Sequence, residues 1–412
     1  MTQYELPTPI NPLTTSGSQL ADILSGAAKW RDALESLHKG ASRPTYAQGG
    51  MLWIDDSAAT AWKLYVYDGT QDIFIGELDL TTGELVSEFA ERFGRFNLLR
   101  WTTTNPQFGT DNIFAALYDP ASGNLICVGQ GVGPAPGSYS ADGITWTAIA
   151  AGQLGGTGAA NYGLALAPTL GTQGRIVAGG TYVGSLNARY SDDGGVNWTS
   201  IASGQLNQST IWGVAWSPTL NLFVATGAPD GVVLTNSYTS SNGIAWSATP
   251  FPVTGQGTLY AAAWCGDRFV IGGNGNAGGQ DIFYSTDGVN WTPVVAIATA
   301  SLAYSPKLGI IVAGTFTSGT IQYSTDGGAN WTSVIISGIT GTISAAAWLP
   351  KFSHFIIGSL AGAGQIAISP DGVNWEVVNG SGLTSSVLAA AEHASLERAI
   401  VAGFGGALSY SP

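Results

Sequence analysis

From about residue 110 to the C-terminus, short apolar runs alternate with polar, glycine-rich turns, and the same order of runs returns again and again. Residues 343–378 show the unit. Ile343 to Trp348 reads as a first strand, residues 349–354 as a turn, residues 355–358 as a second strand and residues 365–369 as a third. Residues 370–374 turn into a fourth strand that opens on Trp375. First strands carry small residues (Ala115–Ala116, Ala261 to Ala263, Ala345 to Ala347, Ala389 to Ala391), then a large aromatic in most units (Tyr118, Trp216, Trp264, Tyr304, Trp348). Proline closes them at positions 120, 168, 218, 306 and 350, where a missing N–H is tolerated because pairing stops. Small side chains in one strand of every unit are what crowding around a common axis requires. The tryptophans that open the fourth strands are Trp146, Trp198, Trp246, Trp291, Trp331 and Trp375, spaced 40 to 52 residues apart, which suits a four-stranded propeller blade and is too long for a solenoid coil.

The expected fold class is therefore all-β, a seven-bladed β-propeller over residues 98–412. Six complete repeats are visible, and the two ends of the chain supply a seventh. Residues 386–391, 399–404 and 407–412 read as three strands that stop where the next turn is due, and residues 98–104, with Trp101-Thr102, read as the missing fourth strand. Closure by a blade shared between both ends is the expectation.

Before residue 98 the pattern changes. Ile23, Ala27, Trp30, Leu34 and Leu37 follow helical spacing over residues 18–39, weakened by Gly26, so residues 1–42 are expected to be an arm with a short helix used for attachment or oligomerisation. Residues 43–97 are expected to hold a small β module and linker, with Asp68-Gly69 as a hairpin signal between alternating strands.

The turn before each repeat tryptophan has the form Ser-x-Asp-Gly, with Ser140/Asp142, Ser191/Asp193, Ser285/Asp287, Ser324/Asp326 and Ser369/Asp371; the third unit has Ser240/Asn242 instead. The side chains of Asp142, Asp193, Asn242, Asp287, Asp326 and Asp371 are expected to brace their own turns by accepting backbone N–H groups, with Gly supplying the backbone angle. The motif resembles the Asp box of sialidases and other propellers. The 52–76 segment, with Leu52-Trp53-Ile54-Asp55, Tyr67-Asp68-Gly69 and Ile75-Gly76, resembles a segment of bacteriophage tail-fibre and related virion proteins.

Composition narrows the chemistry. Acids outnumber Lys plus Arg, 27 to 14, and only 10% of residues are charged, which argues against nucleic acid. The N-terminus shows no secretory signal, no run is long enough for membrane insertion, and the three histidines lack ligand spacing, so neither metal nor cofactor is expected. Cys127 and Cys265 lie in apolar runs and read as inert core thiols.

A sialidase would need three arginines on one face. Arg175, Arg268 and Arg398 fall instead beside the turns between first and second strands, on the side of the Asp boxes, with at most Arg189 near the opposite face. Asp111, Asp230 and Asp281 are the acids placed on that opposite face, and Asp230 with Asp281 is the best glycosidase pair. No catalytic residue is assigned, and the expectation is a non-enzymatic chain. Loops at 105–110, 180–187 and 204–210 are rich in amides, hydroxyls and glycine, and Tyr182, Trp212, Asp230 and Phe316 are the candidate binding residues for sugar hydroxyls and ring faces.

The resemblance implies a virion structural protein of the tail-fibre type, made in the host cytoplasm. Its N-terminal region would contact other virion proteins, its propeller a host-surface glycan or receptor, and it would form a homo-oligomer, a trimer being favoured. The alternatives are a carbohydrate-active propeller enzyme, a head decoration protein or a cellular scaffold.

Overall fold

The computed structural model describes residues 38–39, 52–58, 61–67, 72–79, 85–86 and 98, and from 101 onward all but 107, 109–110, 131–135, 156–157, 184–185, 207, 230–236, 253–256, 276–278, 296, 362–363, 379–382 and 412. The chain divides into two compact units, Met1–Phe96 and Asn97–Pro412.

The N-terminal unit contains a five-stranded sheet in chain order: β1 (His38–Lys39), β2 (Leu52–Asp55), β3 (Ala61–Tyr67), β4 (Asp72–Asp79) and β5 (Leu85–Val86). The helical pattern of residues 18–37 lies outside the described residues. Its last two positions depart from it, since His38 and Lys39 pair in parallel with Trp53 and Ile54. The hairpin pairs Tyr67 with Asp72, and the turn at 68–71 lies outside the described residues. Trp53 is buried, stacks on Tyr65 at 4.8 Å and donates from its indole N–H to Asp72 at 3.1 Å.

In the second unit every repeat forms four antiparallel strands paired in chain order. The first strands are β7 (Ile113–Asp119), β11 (Asn161–Ala167), β15 (Gln208–Ser217), β19 (Thr258–Trp264), β23 (Thr299–Ser305), β27 (Ile343–Leu349) and β31 (Val387–His393). Each packs against the first strand of the next repeat, and β31 packs back against β7. The sheets that begin with β11 and β15 are also linked by a Thr181–Thr210 pair. The sheet of β31 has three strands from the C-terminus, and its fourth is β6 (Thr102–Thr104), which pairs antiparallel with β33 (Leu408–Tyr410) through Thr104–Leu408 and Thr102–Tyr410.

The second strands are almost wholly buried, which explains their continuous apolar runs, whereas first strands mix buried and half-buried positions, in strict alternation in β11 and β23. Each repeat tryptophan covers the sheet before its own. Trp198 packs with Ile126 and Val128, Trp246 with Val177, Trp291 with Val224 and Trp331 with Val270. Trp146 lies against Ile400 and Leu408 of the last sheet, and Trp101 joins the cluster of Ile366 and Ile368. A buried ring of this size contributes on the order of 2–3 kcal/mol. Cys127 and Cys265 are buried free thiols, their ionisation suppressed by burial.

The turns between third and fourth strands share one hydrogen-bond pattern. At the first, Ser140 Oγ donates to Asp142 Oδ1 (2.9 Å) and accepts from Gly143 N–H (2.8 Å), while Asp142 Oδ1 accepts from Ile144 and Thr145 N–H at 2.8 and 2.7 Å. Asn242 Oδ1 accepts the corresponding two N–H groups at 2.9 Å, so an amide oxygen suffices. Gly143 and Gly243 have φ of 71° and 72°, the left-handed backbone that closes the turn. Two arginines then tie turns of neighbouring sheets to the body, and a third lies beside such a turn. Arg175 pairs with Asp192 at 2.6 Å, lies over the Tyr190 ring and donates to Asn242 O; Arg398 lies over Tyr410 and donates to Asp142 O. Arg268 lies over Tyr284 beside Gly327.

Partial burial opposes ionisation of Asp142 and Asp287, yet the N–H donors of their turns prevail and hold both at about 2. At Asp326 the Asn330 N–H donor is the largest influence, and its carboxyl is also at about 2. These folded-state values are depressed, so the stabilisation is present above about pH 4 and is lost as pH falls towards 2. Asp287→Asn, which keeps the acceptor, is expected to hold the neutral-pH melting temperature within a few degrees and to flatten its fall between pH 4 and 2; Asp287→Ala should lower it at every pH. Thermal unfolding across that range checks both. Deleting residues 1–105 removes buried Leu98, Trp101 and β6, whereas deleting 1–90 leaves them. The longer deletion is expected to melt lower by roughly 10 °C or more, from the loss of buried Leu98, half-buried Trp101 and the β6 pairing; equal melting temperatures would show that β6 closes nothing.

Candidate functional site

Antiparallel alternation gives each sheet two ends. The turns from first to second strand and the Ser-x-Asp-Gly turns share one end, and the loops from second to third strand and from fourth strand to the next sheet share the other. The first strands begin at this second end, and each has an irregularity there. The register shifts at Ile113/Ala115, Asn161/Gly163, Ile211/Gly213, Leu259/Ala261, Thr299/Ser301, Ile343/Ala345 and Val387/Ala389. A bulge leaves one residue out of the ladder and re-aims its side chain. The residues in these bulges are Phe114, Tyr162, Trp212, Tyr260, Ala300, Ser344 and Leu388, and all seven line one cavity of about 200 Å³.

Four consecutive aromatics therefore stand side by side on one half of the cavity mouth. Ring centroids are 4.7 Å apart for Phe114–Tyr162, 3.9 Å for Tyr162–Trp212 and 5.2 Å for Trp212–Tyr260. Phe316 extends the arc, 5.2 Å from Tyr260, and is 36% exposed. Its loop is anchored by Phe316 N–H to Ala298 O (3.0 Å) and by Thr315 Oγ1, which donates to Thr320 O (2.8 Å). Glycine follows two of the rings because nothing larger fits: a Cβ on Gly163 would lie 2.6 Å from Trp212 O, and one on Gly213 2.9 Å from Ala262 N.

The arc is self-stacked. Tyr162 has a neighbouring ring on either side, and Trp212 is stacked on Tyr162 and meets Tyr260 edge-on, so the inner members turn edges rather than open faces to a ligand. Open ring surface is concentrated at Phe316. Burial raises the Tyr162 phenol above its usual range, so it remains a neutral hydroxyl. The other half of the mouth has Ala300, Ser344 and Leu388. Below the rim the wall is mainly alanine and glycine, with Ser301 Oγ donating to Ile343 O and Ser344 Oγ to Val387 O.

Of the four candidates named from sequence, Trp212 and Phe316 meet in this arc, joined by Tyr260. Tyr182 is the penultimate residue of the strand Arg175–Val183, next to Thr181, whose partner Thr210 precedes Trp212 by two residues; its side chain lies outside the described residues. Asp230 also lies outside them. Phe114, Tyr162 and Tyr260 went unnamed in the sequence, although alignment of the repeats sets each directly before the small residues of a first strand. Asp111 and Asp281 are buried, 7% and 8% exposed, in loops of this same end. Arg189 is 2% exposed, its charge disfavoured by burial. Among the described residues no group of three His, Cys, Asp or Glu is placed to hold a metal ion.

The repeated four-stranded sheets and the cycle of first strands define a β-propeller, and solved structures share that fold. The chain is similar to YCF48 bound to D1 peptide (15% identity, TM-score 0.56, covering 76% of this chain and 94% of that one). It is similar to the same degree to the GH74 enzyme of Niastella koreensis (17%, 0.55, 75% and 53%) and to the GH74 xyloglucanase of Xanthomonas campestris (14%, 0.56, 75% and 53%). This chain thus spans about half the length of the GH74 enzymes. No family model matches it, and no curated protein matches it in sequence.

These neighbours overturn the expectation of a non-enzymatic chain. That expectation rested on a missing arginine triad and a weak acid pair, which bear on particular glycosidase mechanisms only. Enzymes superpose on this propeller as well as a peptide-binding one does, and the fold is common to both kinds of protein.

Proposed function

We propose that this chain is a seven-bladed propeller, closed by a blade shared between residues 98–104 and the C-terminus, that contacts glycans through the aromatic arc at the end opposite the Asp turns. The arc itself supports this most directly: five contiguous rings on one side of a cavity mouth that has no charged side chain among the described residues, three of the rings with polar tips. Aromatic surface with a few polar groups is the usual make-up of a site for sugars and other small neutral ligands. The protein's net charge of −13 favours neutral over acidic chains.

The virion-fibre reading belongs here as well. It rests on the sequence likeness of the 52–76 segment, which supplies β2 and strands β3 and β4 of the N-terminal sheet. On this reading the N-terminal region joins other virion proteins and a homo-oligomer, and the propeller faces the host surface. A carbohydrate-active propeller is a second reading of the same site, favoured by the buried carboxylates of Asp111 and Asp281 at this end.

Affinity electrophoresis against soluble neutral polysaccharides (β-1,4-glucans, mannans, galactans, xylans), with hyaluronan and polysialic acid as acidic counterparts, is expected to show retardation by a neutral polymer. Trp212→Ala and Phe316→Ala should each weaken it about tenfold, on the order of 1.4 kcal/mol, with the fold intact by circular dichroism. Absence of retardation by every polymer, or indifference to both substitutions, refutes the glycan reading. Release of reducing ends that Asp111→Asn or Asp281→Asn abolishes would establish the carbohydrate-active one.

A further inference from the structure

The seven bulge positions are equivalent by register yet unequally filled. Phe114, Tyr162, Trp212 and Tyr260 close one half of the mouth, while Ala300 and Ser344 leave a gap between Phe316 and Leu388. A long ligand lying flat across the mouth would need ring faces in its path, and the inner rings are already stacked on one another. The cavity beneath is open to a ligand entering along the axis. At about 200 Å³ it lies below the range of roughly 300–1,000 Å³ that holds a drug-sized molecule. One sugar ring fits such a volume and an oligosaccharide does not.

The lining decides what kind of unit enters. Among the described residues its lining is Phe, Tyr, Trp, Leu, Val, Ala, Gly and Ser, with no charged side chain. The hydroxyls of Ser301 and Ser344 already donate to backbone carbonyls. A carboxylate or ammonium taken there would lose its water without gaining a counter-charge, which is costly, whereas a neutral hydroxylated ring meets small side chains with exposed backbone polar groups below and polar-tipped aromatics at the rim. A purely hydrocarbon chain would leave those polar tips unused.

Resting on the glycan reading above, we infer that the propeller reads its ligand end-on: the axial cavity takes a single uncharged terminal sugar, the rest of the chain leaves over the gap at Ala300 and Ser344, and Phe316 flanks its exit. Charged ends, whether a sialic acid, a uronic acid or a peptide terminus, are rejected.

The test uses the full chain and the neutral glycan selected by electrophoresis, cut to oligosaccharides of one to six units and measured by isothermal titration calorimetry. Affinity is expected to level off by about the third unit, the free monosaccharide to compete, and replacement of the terminal sugar by its uronic acid to cost at least a hundredfold. Ser344→Trp and Ala300→Trp install at the gap a residue that the sister position 212 already carries in the same bulge. Each is expected to weaken oligosaccharide binding at least tenfold without lowering the melting temperature by more than a few degrees. Affinity that climbs steadily to six units, tolerance of the terminal carboxylate, or full binding by a folded Ser344→Trp variant would overturn end-on reading while leaving the glycan function standing. Capture of peptides by a free terminus, with no binding of any neutral oligosaccharide, would overturn both.

Discussion

Every sheet of the C-terminal unit depends on its neighbour to cover it. The second strands are apolar on both faces, and a single sheet of this kind has nothing of its own to bury them against. The tryptophan that opens each fourth strand fills that need by lying on the sheet before, as Trp198 does on Ile126 and Val128 and Trp291 does on Val224. An arrangement in which each unit protects the previous one has no natural first member unless it returns on itself. Trp146 lying against the last sheet, and Trp101 against the one before it, meet that requirement from the N-terminal side of the repeat array.

Around that packing the two ends of the sheets are free to differ. At one end, short turns are held by their own serine and aspartate side chains and by arginines that cross to the neighbouring sheet, as Arg175 reaches Asn242 and Arg398 reaches Asp142. Most of those groups are engaged with one another. At the other end the loops are longer, several lie outside the described residues, and the bulged first strands turn side chains to a shared axis. Stiff turns on one side and re-aimed side chains on the other separate the work of holding the fold from the work of meeting a ligand.

Strand order, the pairing of β6 with β33 and the turn chemistry were legible in the sequence because each depends on local, repeated signals: small residues in first strands, Ser and Asp at fixed spacing, and a Trp-Thr pair in residues 101–102 at the head of the last missing strand. The aromatic arc was only half legible. Trp212 and Phe316 stood out as aromatics in polar loops, but Phe114, Tyr162 and Tyr260 sit inside apolar strands, where an aromatic residue ordinarily signals core. What distinguishes them is a one-residue slip in pairing, and no propensity marks such a slip when its residue is as varied as Trp, Ala or Leu. The N-terminal pattern shows the opposite hazard, for helical spacing ran through His38 and Lys39, which pair with Trp53 and Ile54 once a strand edge is available. The chemistry of the chain was read too narrowly from absent arginines, since a propeller admits many kinds of site.

The recurrence of the bulge has a consequence for how such a protein changes over time. Because the irregular residue is excused from the ladder, its side chain can be exchanged without disturbing a single strand pairing, and the same backbone already accommodates an indole, a phenol, a hydroxymethyl and a methyl group. Seven such sockets around one axis form a small combinatorial alphabet written on a constant frame. Selection could alter which molecule is recognised by rewriting a few letters, leaving the tryptophans and braced turns that hold the frame untouched.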